Sequence, residues 1–107
     1  MGAWYSMTDT LSNLVSALCG DYLRRAELVR EGGVKTRVYN ELRYLNYKIR
    51  EATAQIVGEA RAELFIREIG GRIGYAKSGV DGISETTYKE AKREVKLGIE
   101  RGLYLLN

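Results

Sequence analysis

Residues 37–51 read RVYNELRYLNYKIRE, with three tyrosines, three arginines and a lysine among fifteen positions. Val38, Leu42, Leu45 and Ile49 step by four, three and four, the recurrence of one face of an α-helix rather than the alternation of a strand. The stripe continues downstream through Ala52, Ile56, Ala60 and Leu64. A helix is therefore expected from about Lys35 to about Ile69. Gly58 lies inside this run and marks either close packing or a bend. At about 100° per residue, Tyr39, Arg43, Tyr47, Arg50 and Arg61 fall on a second face beside the apolar stripe. Farther along, that second face turns apolar at Ala54, Val57 and Phe65.

Outward from this segment, Gly32-Gly33 is a helix stop, and upstream Leu11, Leu14, Val15, Leu18, Tyr22, Ala26 and Val29 recur at helical spacing. Thr8 or Asp9 is a suitable N-cap for a first helix over about 9–31. Ser84 is the corresponding N-cap downstream, followed by Tyr88, Ala91, Val95, Ile99 and Leu106 in a helix over about 85–105. Between them GGRIG interrupts the pattern, and a short helical piece ending at SGVDG is expected. The chain contains no proline, which favours uninterrupted helices. The expected fold is all-α: an antiparallel bundle of three long helices, about 9–31, 35–69 and 85–105, with a short glycine-rich connection, in one domain over residues 1–107.

Composition excludes much chemistry. With no histidine in 107 residues, Ser–His and Cys–His nucleophilic sites and His-containing zinc sites are ruled out. Cys19 is the one cysteine; it cannot form an internal disulfide and reads as a small buried hydrophobe. The acidic i,i+4 pairs Glu27/Glu31 and Glu59/Glu63 have no second acidic cluster to complete a metal site and read as solvated helix faces. Gly71, Ala76, Lys77 and Ser78 in GGRIGYAKS follow a phosphate-loop spacing with alanine at its second glycine. A glycine-rich link between helices accounts for them better, because no parallel sheet is expected. No enzyme activity, cofactor, metal or small-molecule substrate is expected.

No run of eighteen apolar residues suggests a membrane span, and MGAWYS carries no basic residue ahead of Leu11, so a cytoplasmic location is expected. Gly2 and Ser6 meet the loose myristoylation pattern, although a frayed start accounts for them as well. The chain has 17 basic and 14 acidic residues, a net charge of +3, unevenly spread. Residues 24–50 hold eight basic and three acidic residues, a local +5. Abundant Arg and Glu beside one Gln and four Asn resembles thermophilic usage, where ion-pair networks expand and thermolabile residues decline.

Arg24, Arg25, Arg30, Lys35 and Arg37 surround the Gly32-Gly33 turn and are expected to meet phosphates as a basic knob, with Arg43 and Arg50 extending the contact. Tyr39, Tyr47, Val57 and Phe65 are expected to form a partner seam, since tyrosine and arginine concentrate at interfaces. Both groups could instead be solvated flanks. The C-terminal stretch GISETTYKEAKREVKLGIERGLYLL resembles the end of a winged helix. That resemblance implies a recognition helix after Ser84, with Lys89, Lys92 and Arg93 toward DNA, and a hairpin wing over GIERGLYLL. The leading expectation is a non-catalytic helical accessory or assembly protein whose basic hairpin contacts nucleic acid within a larger complex. The alternatives are a purely protein-binding or homo-oligomeric structural subunit, and a winged-helix DNA-binding regulator.

Overall fold

The computed structural model describes residues 9–103. Among them there is no strand, and the elements run α1 (Asp9–Gly20), α2 (Tyr22–Glu31), α3 (Thr36–Val57), α4 (Glu59–Gly70), a single 3-10 turn (Tyr75–Lys77) and α5 (Glu85–Gly102). The all-helical class is as expected. Gly2, Ser6, Thr8 and residues 104–106 lie outside the described residues.

Two of the three expected long helices are divided. The first breaks at Asp21, whose φ of −96° and ψ of 1° leave the helical range for one residue. The second breaks at Gly58, and this break matters more. Its φ of 88° and ψ of 158° lie in a region open essentially only to glycine. The chain changes direction there and α4 folds against α3. Sequence periodicity runs straight through a glycine because the glycine contributes no side chain to the pattern. The open question at Gly58 is thus resolved as a bend.

The break rotates α4 relative to the straight-helix projection. Phe65, expected on an outward seam, is 1% exposed and packs with Val80 and Tyr88. Val57 is half-buried and touches both this cluster and the main core. Phe65 is therefore closed to a partner, and Val57 is only partly accessible. The main core combines Val15 and Cys19 of α1, Tyr22 of α2, Ile49 and Ala52 of α3, Ile66 and Ile69 of α4, and Val95 and Ile99 of α5. Burial pushes the Cys19 thiol up to about 12, Arg25 and Lys96 only partly opposing it, so it is an inert core group.

α5 begins where expected, with Ser84 accepting a hydrogen bond from the Thr87 backbone N–H at 3.2 Å. It stays helical through Gly102, so residues 98–102 are helix and not the first arm of a wing. The connection between α4 and α5 is irregular apart from its 3-10 turn, and Glu68 holds it. Its carboxylate accepts from Ser78 Oγ at 2.6 Å, the Gly79 backbone N–H at 2.7 Å and the Tyr88 hydroxyl at 2.7 Å. An internal carboxylate thus takes up the Ser78 hydroxyl and the Gly79 N–H at the end of the phosphate-loop spacing.

Of residues 23–44, none belongs to either core cluster. Val38, the first residue of the expected core stripe, is 42% exposed, and Tyr44 is 56% exposed. The distal half of the α2–α3 pair is an arm extending from the bundle, joined to it where Tyr22, Leu45 and Ile49 enter the core.

Candidate nucleic-acid interface

The arm is fixed to the bundle by polar contacts that periodicity cannot show. Arg25 sits on the inner side of α2 and is 3% exposed. Its Nε donates to Asn46 Oδ1 of α3 at 2.7 Å, its Nη2 to the Leu18 carbonyl and its Nη1 to Asp21 Oδ2 at 3.4 Å. Asn46 Nδ2 in turn donates to the Tyr22 carbonyl at 3.0 Å. Burial draws the Arg25 pKa down while Asp21 opposes it; the guanidinium remains charged at neutral pH. Arg25 is therefore a clamp between α2 and α3 rather than one of the phosphate contacts expected of it. The break at Asp21 has turned this side chain inward, and its neighbour Arg24 points to solvent.

Asn46 had no signal in a hydrophobic projection, being one polar residue among many on the same helix. Removing the clamp should be felt by the whole protein. Arg25→Ala is expected to cost about 2 kcal/mol, because it leaves Asn46 Oδ1 and the Leu18 carbonyl without their donor. Arg24→Ala should leave stability close to that of the wild type, because its ion pair is exposed. Chemical denaturation of the two variants measures this contrast.

The remaining basic residues lie on the surface. Arg24 makes a two-pronged contact with Asp21, both distances 2.6 Å. Arg30 pairs with Glu27, and Arg37 with Glu41 at 3.2 Å. Lys35 is exposed at the turn. Arg43 stands over the Tyr39 ring at 5.6 Å. Arg50 lies 3.3 Å from Glu59. The Tyr22 hydroxyl raises the Arg50 pKa, partial burial works against it, and Glu59 adds to the rise. Exposed ion pairs of this kind hold by about 1 kcal/mol or less, so a phosphate can displace the carboxylates.

Three of these arginines converge. Arg30, Arg43 and Arg50 surround an open recess of about 300 Å³ between α2 and α3. Tyr22, Ala26 and Val29 of α2 and Asn46 and Tyr47 of α3 complete its lining. Every charged side chain lining it is positive. The Tyr47 ring, 59% exposed, forms one wall, its hydroxyl donating to Glu51 Oε2 at 2.8 Å. Two other grooves differ. One of about 770 Å³ between α3 and α5 mixes Lys48, Arg93 and Arg101 with Glu51 and Glu94. One of about 370 Å³, sharing Tyr47 and Arg50 with the arginine recess, adds Glu51 and Glu59.

The expected residues thus divide. Arg30, Arg43, Arg50 and Tyr47 come together at the recess, with Tyr39 beside Arg43. Arg24, Lys35 and Arg37 are exposed on the arm. Arg25 and Phe65 belong to the interior, and Val57 is half-buried between the two core clusters. Among the described residues no group of acidic, cysteine or histidine side chains could hold a metal ion, and no helix is long and apolar enough to cross a membrane. No protein-family model, curated protein or solved structure matches the chain.

Proposed function

We propose that this is a non-catalytic helical accessory protein whose α2–α3 arm contacts nucleic acid within a larger assembly. One observation carries the reading: a recess between two hydrogen-bonded helices whose charged lining is entirely arginine, set in a segment with a local charge of +5. Arginine forks match phosphate oxygens, and a basic arm standing clear of the bundle can reach a nucleic-acid backbone without displacing core contacts. The neighbouring grooves carry carboxylates and repel the same ligand.

The winged-helix alternative finds less support, since α5 interleaves Glu85, Glu90 and Glu94 with its lysines. A purely protein-binding role has one observation in its favour. The α3–α5 groove combines apolar Ala52, Ile56, Leu97 and Gly98 with rims of mixed charge, suited to a partner helix.

Fluorescence anisotropy of a labelled oligonucleotide tests the proposal. Affinity should fall steeply between about 50 and about 200 mM salt, with a log–log slope reduced by roughly 0.7–0.9 for each phosphate contact removed. Arg30→Gln with Arg43→Gln should weaken binding on the order of tenfold or more. Lys89→Gln with Lys92→Gln should leave it unchanged. The converse pattern would transfer the interface to α5.

A further inference from the structure

The arginine recess has a shape that phosphate recognition alone does not require. A surface that only tracks a duplex backbone needs exposed cations, and Arg24, Lys35 and Arg37 on the arm already supply them. The recess adds an apolar lining from Ala26 and Val29 and an aromatic wall from Tyr47. Its volume of about 300 Å³ is at the small end of the range for small-molecule clefts, and it is open to solvent. In a duplex the bases are stacked and paired, and their flat faces are unavailable. In a single strand they can turn outward onto an aromatic ring while the backbone follows a positive groove.

We infer that the recess between α2 and α3 takes an unpaired nucleobase of a single-stranded nucleic acid, stacked on Tyr47, with the flanking phosphates on Arg30, Arg43 and Arg50. This inference rests on the reading of the arm as a nucleic-acid contact and makes it specific to strand state. Charge sets the path of the strand. Beyond Tyr47 the adjoining recess presents Glu51 and Glu59, so the phosphates stay on the arginine side of the ring. The Arg25–Asn46–Tyr22 network joins α2 to α3 at the recess, which limits the ordering needed when the ligand binds.

The test compares labelled oligo-uridine and oligo-deoxythymidine with a duplex of the same length at low salt, using the full chain and three variants. The single strands are expected to bind at least about tenfold more tightly than the duplex. Tyr47→Ala should lower single-strand affinity on the order of tenfold, Tyr47→Phe should stay within about twofold, and neither should alter duplex affinity. Arg43→Gln should weaken binding of both forms. Either single strand bound in this pattern supports the inference, and the tighter of the two assigns the natural sugar. Equal affinity for duplex and single strand, or single-strand binding indifferent to Tyr47→Ala while Arg43→Gln weakens it, would overturn the recess as a base site and leave the basic arm standing. Failure of the wild-type chain to bind any of the three would overturn both. Tyr47 is exposed, so circular dichroism of the alanine variant should match the wild type.

Discussion

Glu68→Ala is expected to destabilise the protein by about 3–4 kcal/mol, the largest effect of any single substitution considered. Three donors converge on this carboxylate within 2.7 Å, and hydrogen bonds to a charged group contribute about 1.5–3 kcal/mol each. Their sum is reduced because the Tyr88 hydroxyl has a second acceptor in the Ile73 carbonyl at 3.2 Å. The Lys92 ammonium already donates to that carbonyl at 2.6 Å, so the replacement is incomplete. Without Glu68, the buried Tyr88 hydroxyl and the Gly79 N–H lose their principal acceptor, and the segment 71–84 loses its anchor to α4. Glu68→Gln keeps the shape but turns one acceptor into a donor facing Ser78 or Gly79, and should cost about 2 kcal/mol. Urea denaturation gives both values, and proteolysis should cut the alanine variant between α4 and α5. A cost below about 1 kcal/mol would show that the loop is held by its apolar contacts alone.

The same residue predicts a pH dependence. Burial pushes the Glu68 carboxyl up, but the hydrogen bonds from Ser78, Gly79 and Tyr88, with Lys92 nearby, more than offset this and leave it below its ordinary 4.5. A lowered carboxyl pKa means that its stabilisation is complete above that ordinary value and is lost as pH falls through the folded-state value. Acid should therefore weaken the wild type more than Glu68→Gln. Glu100 acts in the opposite sense. It is fully buried, neither oxygen has a hydrogen-bond partner among the described residues, and burial raises its pKa against the pull of Lys96. Its contribution is complete below the ordinary value and declines as pH rises through the folded-state value.

Gly70→Ala is expected to cost about 3 kcal/mol, lowering Tm by roughly 15 °C. A Cβ at residue 70 would lie 2.5 Å from Gly20 N, 2.6 Å from Gly20 Cα and 2.7 Å from the Cys19 carbonyl carbon. All three are backbone atoms, so no rotamer change relieves the contact. α1 would have to retreat by on the order of 1 Å, drawing Val15 and Cys19 out of a close-packed core. Helix propensity favours alanine over glycine by about 1 kcal/mol, and the steric term outweighs it. Gly20→Ala on the facing helix is the control. Its Cβ would meet nothing closer than Gly70 O at 3.4 Å, and its melting should stay within a few degrees of the wild type. Equal effects of the two substitutions would show that the helices do not meet at Gly70.

The helical class, the turn at Gly32-Gly33 and the Ser84 cap were legible because each depends on local chemistry: apolar spacing, glycine, and a hydroxyl placed to accept an N–H. The phase of α4 was not. Phe65 belonged to an outward seam only as long as the helix ran straight through Gly58. A projection carries no information on whether a glycine will use its access to positive φ. The Arg25 misreading has a related cause. An arginine beside a second arginine at a turn resembles surface charge, and only the break at Asp21 together with Asn46 on another helix shows that one of the two turns inward. The recess was half legible. Arg43, Tyr47 and Arg50 share one face of α3 by spacing, whereas the contribution of Arg30, Ala26 and Val29 from α2 depends on how two helices align.

Amide chemical-shift mapping on addition of a single-stranded oligonucleotide at low salt is the most direct test of the central claim. Perturbations should concentrate in residues 22–30 and 39–50, with Arg30, Arg43, Tyr47 and Arg50 most affected and α5 unchanged. Perturbations centred on residues 85–96 instead, or none at any concentration, would contradict it.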